Sequence, residues 1–147
     1  MSCARFFPFT GLLLLLGGTT VFAATPPDGW RLAVVYDPGP DQAAGKYSAL
    51  ARDAVGKLHL SHQDSVNGRL LYSTDASGAW QTIVAAGSAN IGKYNGIAVD
   101  GSGCVHLSYQ DVTNSALKYA TNSTGPWTTT TVDAPGNVGG YTCIGAD

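Results

Sequence analysis

Short alternations of polar and apolar residues fill most of this chain. In Leu58-His59-Leu60-Ser61-His62-Gln63, Leu58 and Leu60 fall on one side of an extended strand, and His59, Ser61 and Gln63 on the other. A period of two predicts half-buried β-strands, and the Gly, Asn and Asp between the runs predict tight turns. Strands are expected at Tyr47 to Arg52, Leu58 to Gln63 and Arg69 to Ser73, with a fourth starting at Trp80. The same four recur at Tyr94 to Val99, Val105 to Gln110, Ala116 to Ala120 and from Trp127. On the first strand one side stays small: Ala49 and Ala51, then Gly96 and Ala98, then Cys143 and Gly145. Such a side fits a strand crowded by a neighbour or lying near a central axis.

The recurrence is a tandem repeat. Residues 45–91 and 92–138 align without a gap and share 19 of 47 positions, where chance gives about 3. A third copy opens at 139–147, and residues 25–44 read as a lead-in ending in the last strand of a partial copy. One four-stranded sheet has two faces and can bury neither alone. Tandem four-stranded units of this length are therefore expected to stack as blades of a β-propeller. The fold class is all-β with antiparallel blades: two complete, others partial. A β-trefoil would need three complete repeats. The chain opens in a fourth strand and breaks off in a first strand at Asp147. Since propellers use about 4–8 blades, it is expected to be a piece of a larger ring, or to close one by self-association.

Composition agrees with strands. The chain has 19 Gly, one Met and, with ten Asp supplying every acidic side chain, no Glu. Residues 1–24, with Arg5, the Leu12–Leu16 run and Val21-Phe22-Ala23, read as a secretory signal peptide. The remainder is expected to be secreted, periplasmic or cell-surface, without a membrane span. Its weak negative charge gives no reason for nucleic-acid binding.

The tip Ser73-Thr74-Asp75-Ala76-Ser77-Gly78-Ala79-Trp80 resembles the Asp-box of sialidase-type propellers, S-x-D-x-G-x-T-W, with Gly one residue late. The second copy, Ala120 to Trp127, keeps the Gly and Trp and has Asn122 for Asp. Tyr94, Ile97, Ala98, Asp100, Gly103, His106, Ser108, Tyr109, Asp111, Leu117, Tyr119, Ala120 and Trp127 are also similar to a repeat of secreted bacterial propellers. The resemblance implies the propeller fold and places the box between third and fourth strands. For activity it implies little, because one fold carries many functions.

The chemistry-bearing residues read mostly as structural. His59 and His106 recur beside Ser and Gln, as residues bonding adjacent blades must, and no metal ligand set accompanies them. His62, replaced by Tyr109, is expected half-exposed; these two are the candidates for facing a ligand. Asp53, Asp64, Asp100 and Asp111 sit at strand ends and read as turn formers. Tyr47, Tyr94, Gln63, Gln110, Tyr72, Tyr119, Trp80 and Trp127 recur as framework. A sialidase site needs an arginine cluster, an acid/base and a tyrosine nucleophile; only Arg31, Arg52 and Arg69 follow residue 24, at unmatched positions. Cys104 and Cys143 form an exported pair, which invites a disulfide, but they occupy different slots of the repeat. No catalytic residue, metal or cofactor is assigned. The expected function is non-catalytic binding of an extracellular glycan or protein. The alternatives are a fragment of a sialidase-like hydrolase and a purely structural repeat.

Overall fold

The computed structural model describes residues 12–15, 31–39, 43–87 and 90–147. The expected cleavage site at Val21 to Ala23, the lead-in at 25–28 and Trp30 lie outside them. Among the described residues there is no helix. Two four-stranded antiparallel sheets dominate, both simple meanders. The first runs β3 (Ala44–Arg52), β4 (Leu58–Asp64), β5 (Arg69–Thr74), β6 (Gln81–Gly87). The second runs β7 (Ile91–Val99), β8 (Val105–Asp111), β9 (Ala116–Thr121), β10 (Thr128–Asp133). Each strand expected of the two complete copies is present, but the first strand expected of the third copy is not: residues 139–147 follow the second sheet as turn and irregular chain. The fourth strands start one residue after their Trp, and the first strands begin three residues before their Tyr.

The N-terminal part differs from expectation. β2 (Arg31–Val34) joins neither large sheet and pairs in parallel with β1 (Leu12–Leu15). The polypeptide then runs past the first sheet, with Val35 buried.

Register shows why the two sheets stack. Residues directly opposite in an antiparallel pair share a face. In the first sheet Ala49 and Ala51 lie opposite Ser61 and His59, and Ser61 and Gln63 lie opposite Tyr72 and Leu70. In the second, Ile97 lies opposite Leu107, Leu107 opposite Ala120, and Val99 opposite Val105. These two faces meet. Leu70, Tyr72, Ile97, Val105, Leu107, Tyr109 and Ala120 form one buried cluster, with Ala49, Ala51, Val99 and Trp127 packed against it. Leu70 and Leu107 are wholly buried, which stabilises by roughly 1.5–3 kcal/mol each. Ala49 and Ala51 keep the first strand small where the second sheet packs on it, and Gly96 does the same on the outward face of the second sheet. A methyl on Gly96 would lie 3.0 Å from Ser108 Oγ and 3.3 Å from Cys143 Cα, where the opening of the third copy passes.

The outward face of the second sheet carries the residues that match the inward face of the first, but among the described residues no sheet covers it. All six residues of β10 are exposed, and Val132 is 60% accessible. Leu117 and Tyr119 of β9 line an open groove of about 320 Å³ with Val132, Thr142 and Ile144.

Candidate functional site

Two matched side-chain triads stand at the same end of the sheets. Asp53 opens the first turn, and its Oδ1 accepts the backbone N–H groups of Val55 and Lys57 at 3.0 and 2.7 Å. Its Oδ2 lies 3.3 Å from His59 Nε2, and His59 Nδ1 lies 2.6 Å from the Tyr72 hydroxyl. A carboxylate only accepts, so Nε2 donates to Asp53 and Nδ1 accepts from Tyr72. The second copy repeats the arrangement: Asp100 to His106 at 3.1 Å, His106 to Tyr119 at 2.6 Å. Burial alone would raise the Asp53 carboxyl, but the bonds from Lys57, His59 and Val55 hold it below the usual carboxylate range. For Asp100 the His106 bond is the main cause of the same lowering. Burial raises the Tyr72 phenol.

The triads correct one expectation. His59 and His106 do not bond neighbouring sheets; each clamps the first turn of its own sheet to the third strand. The Asp–His–Tyr order has the form of a proton relay, but Tyr72 is 7% exposed, under the second sheet. Each triad ties the first turn of its sheet to the third strand, and in the first sheet it is enclosed. The cleft of about 230 Å³ between the turns is lined by Asp53–Val55 and Asp100–Gly103. The carboxylates in its wall are already engaged. His59→Ala should cost about 2–3 kcal/mol by leaving the buried Tyr72 hydroxyl without its acceptor. His106→Ala should cost less, since the His106 side chain is 18% exposed against 6% for His59. Chemical denaturation of the two variants checks the order.

Other residues bond sheet to sheet. Ser61 donates to Asn95 Oδ1, and Asn95 Nδ2 donates to the Tyr47 carbonyl. One repeat on, Ser108 donates to Thr142, whose hydroxyl donates to the Tyr94 carbonyl at 2.7 Å. Gln63 donates to the Ile91 carbonyl at 2.8 Å, and Gln110 to the Val138 carbonyl at 3.2 Å. Gly92 and Gly139, with φ of +86° and +92°, bring the incoming strand within 3.2 and 3.1 Å of the Leu70 and Leu117 Cα atoms, measured from where a Cβ would sit. A side chain at either would be strained and would strike backbone.

The hairpin tips explain the change from Asp to Asn. Asp75 Oδ1 accepts the Leu58 N–H at 2.8 Å, and Asn122 Oδ1 accepts the Val105 N–H at 2.7 Å. Either oxygen extends the ladder past its end, so charge is not required. Gly78 and Gly125 close the tips with φ of +92° and +97°. The Trp residues after them differ in setting. Both are half-buried, but Trp127 packs on Tyr72 with ring centroids 5.3 Å apart and against the buried cluster between the sheets. Trp127→Ala should lower stability by about 3 kcal/mol, and Trp80→Ala by less, as thermal unfolding of both variants would show.

Of the turn carboxylates, Asp64 holds Asn67 and Arg69, the latter at 2.7 Å. Asp111 holds Asn114, with Lys118 at 3.7 Å. Arg69 is thereby occupied, and Arg52 is exposed near Gly56. The candidate ligand-facing pair is corrected: His62 is fully buried rather than half-exposed, and Tyr109 is 1% exposed. Burial pushes the Tyr109 phenol up to about 12, with Asp111 adding to it. Cys104 and Cys143 are free thiols. Among the described residues no group of three His, Cys, Asp or Glu side chains could hold a metal ion, and no helix is long and apolar enough to cross a membrane.

One surface feature escaped the sequence reading. Lys46 pairs with Gln63 and Ala49 with Ser61, which leaves one extra residue in β3, a β-bulge; β7 has the same shift between Lys93 and Gly96. Tyr47 and Tyr94 sit there with φ of 52° and 50°, and Tyr141, outside any strand at the start of the third copy, has φ of 57°. The left-handed backbone turns their rings into one row, with centroids 4.8 and 4.5 Å apart. Tyr47 is 39% and Tyr141 87% exposed. The signal was a tyrosine followed by Ser48, Asn95 or Thr142 at each repeat start.

A scan against protein-family models finds no match to this chain, and a search of curated proteins finds none either.

Proposed function

We propose that this chain is a non-catalytic binding module of an exported β-propeller, its two sheets being consecutive blades, and that it binds an extracellular glycan. The blade reading rests on the face-to-face stacking, the repeated Ser–Asn/Thr–carbonyl clips and the matching residues on the open face of the second sheet. Further four-stranded units, from the same chain or from other copies, would cover that face.

The observation that carries the binding reading is the tyrosine row. Aromatic rings held out by left-handed backbone present flat, amphipathic surface with little side-chain entropy to lose. The apolar C–H face of a pyranose stacks on such rings. The Asp-box-like tips support the likeness to sialidase-type propellers, but only as ladder-extending turns. Arg52 and Arg69 lie apart in different settings, so hydrolysis is not the favoured reading.

A glycan array probed with the folded chain is expected to show ligands that Tyr141→Ala and Tyr47→Ala weaken by about tenfold or more, equivalent to roughly 1.4 kcal/mol. Unchanged binding in both variants would remove the tyrosine row from the site. Turnover of a fluorogenic sialoside would favour the hydrolase, and binding to proteins alone would replace the glycan.

A further inference from the structure

We propose that the Val35–Tyr36 segment is an acid-released latch on the outer face of the first sheet, with His62 as its sensor. His62 is wholly buried, and its Nδ1 has no hydrogen-bond partner. Its Nε2 lies 2.9 Å from Ser73 Oγ, Ser73 Oγ lies 2.7 Å from Thr82 Oγ1, and Thr82 Oγ1 donates to the Val35 carbonyl at 3.4 Å. This chain of bonds fixes the protons. Thr82 gives its hydrogen to Val35, so Ser73 gives its own to Thr82 and must accept from His62. The imidazole therefore carries its proton on Nε2, and the enclosed Nδ1 holds a bare lone pair. Above it lies the Tyr36 ring, its centroid 5.6 Å away.

A second proton would go to Nδ1. It would create a buried cation with an N–H that has no acceptor, which a packed interior opposes strongly. The neighbouring charges do not supply a counterion. Asp64, two residues along β4, favours the cation but is tied to Arg69 and Asn67. The segment's own Asp37 is exposed and accepts the Gly39 N–H. Arg52, at the far end of β3, lies against Gly56. From β5 the ring is bonded by the Ser73 hydroxyl, which is bonded in turn to the Thr82 hydroxyl of β6. Burial accordingly lowers the His62 pKa from 6.5 to about 4, partly offset by Asp64.

The direction follows from that lowering. Neutral His62 favours the latched form, fully so above about pH 6.5, and the preference is lost as pH falls through about 4. The proton binds the released form more tightly by about 300-fold, the equivalent of the shift. The cover is the part that gives way: among the described residues it meets the sheet at the Tyr36–His62 ring contact and one long hydrogen bond to the Val35 carbonyl, whereas the sheet's other face is packed on the second sheet. The repeat contains its own insensitive version, because the matching position in the second copy is Tyr109.

Nuclear magnetic resonance of the whole chain between pH 7.5 and 3 tests this. The His62 ring should titrate below 6.5, between that value and about 4, and the Tyr36–His62 contact should vanish in the same step while the Tyr72–Trp127 contact persists. In Tyr36→Ala the His62 titration should rise by one unit or more. In His62→Tyr, checked for folding by the Tyr72–Trp127 contact, the cover should stay seated below pH 4; His62→Gln gives the same readout if the tyrosine does not fit. Three results would each overturn the latch: ordinary titration of His62 near 6.5, a Tyr36 contact that survives protonation, or simultaneous loss of both ring contacts.

Discussion

Leu107→Ala is expected to lower stability by about 3–5 kcal/mol, read from the midpoint of denaturant unfolding at constant slope. Leu107 is fully buried in β8, opposite Ile97 and Ala120 on the face that meets the first sheet. Truncation would open a cavity between two sheets whose backbones are held in place by the Ser61–Asn95 and Gln63–Ile91 bonds, so the gap cannot close by a small shift. Val132→Ala, on the exposed fourth strand of the same sheet, should stay within about 0.5 kcal/mol. If both changes cost the same, the interior is not where the structure puts it.

The second large effect compares one residue in two settings. Tyr72 and Tyr119 hold the same place in the repeat and make the same 2.6 Å bond to their histidine. Tyr72 is covered by the second sheet and packs on Trp127. Tyr119 lines the open groove. Tyr72→Ala should cost about 3–5 kcal/mol and Tyr119→Ala roughly 1–2. With the local bonding equal, the difference reports the stacking. Equal losses, measured by the same unfolding experiment, would mean that the sheet above Tyr72 contributes nothing.

Much of this arrangement was legible before any coordinates. Alternation at Leu58 to Gln63 and at Val105 to Gln110 predicted the strands, and the 47-residue period predicted that there would be two of each. Small residues at Ala49, Ala51 and Gly96 announced a crowded strand. Bonding partners were harder to read. His59 looked like an inter-sheet residue because it recurs, but recurrence cannot tell a clamp within each sheet from a clip between sheets. The clips belong to Asn95 and Thr142, whose identities differ from each other and from Ser48, so they carried no repeat signal. His62 looked half-exposed because Tyr109 replaces it. Period alone could not say that the outer face of the first sheet would be covered by Val35 and Tyr36. The tyrosine row depends on a one-residue bulge, and a bulge breaks the very period that located the strands.

The central claim is that the two repeats form one stacked unit rather than two independent sheets. Residue-resolved native-state hydrogen exchange tests it most directly, comparing β5 and β8 in the unchanged chain and in Leu107→Ala. Stacking predicts that both strands open with one shared free energy, and that a cavity made in β8 lowers protection in β5 by the same amount. Protection lost from β8 alone, with β5 unaffected, would contradict it.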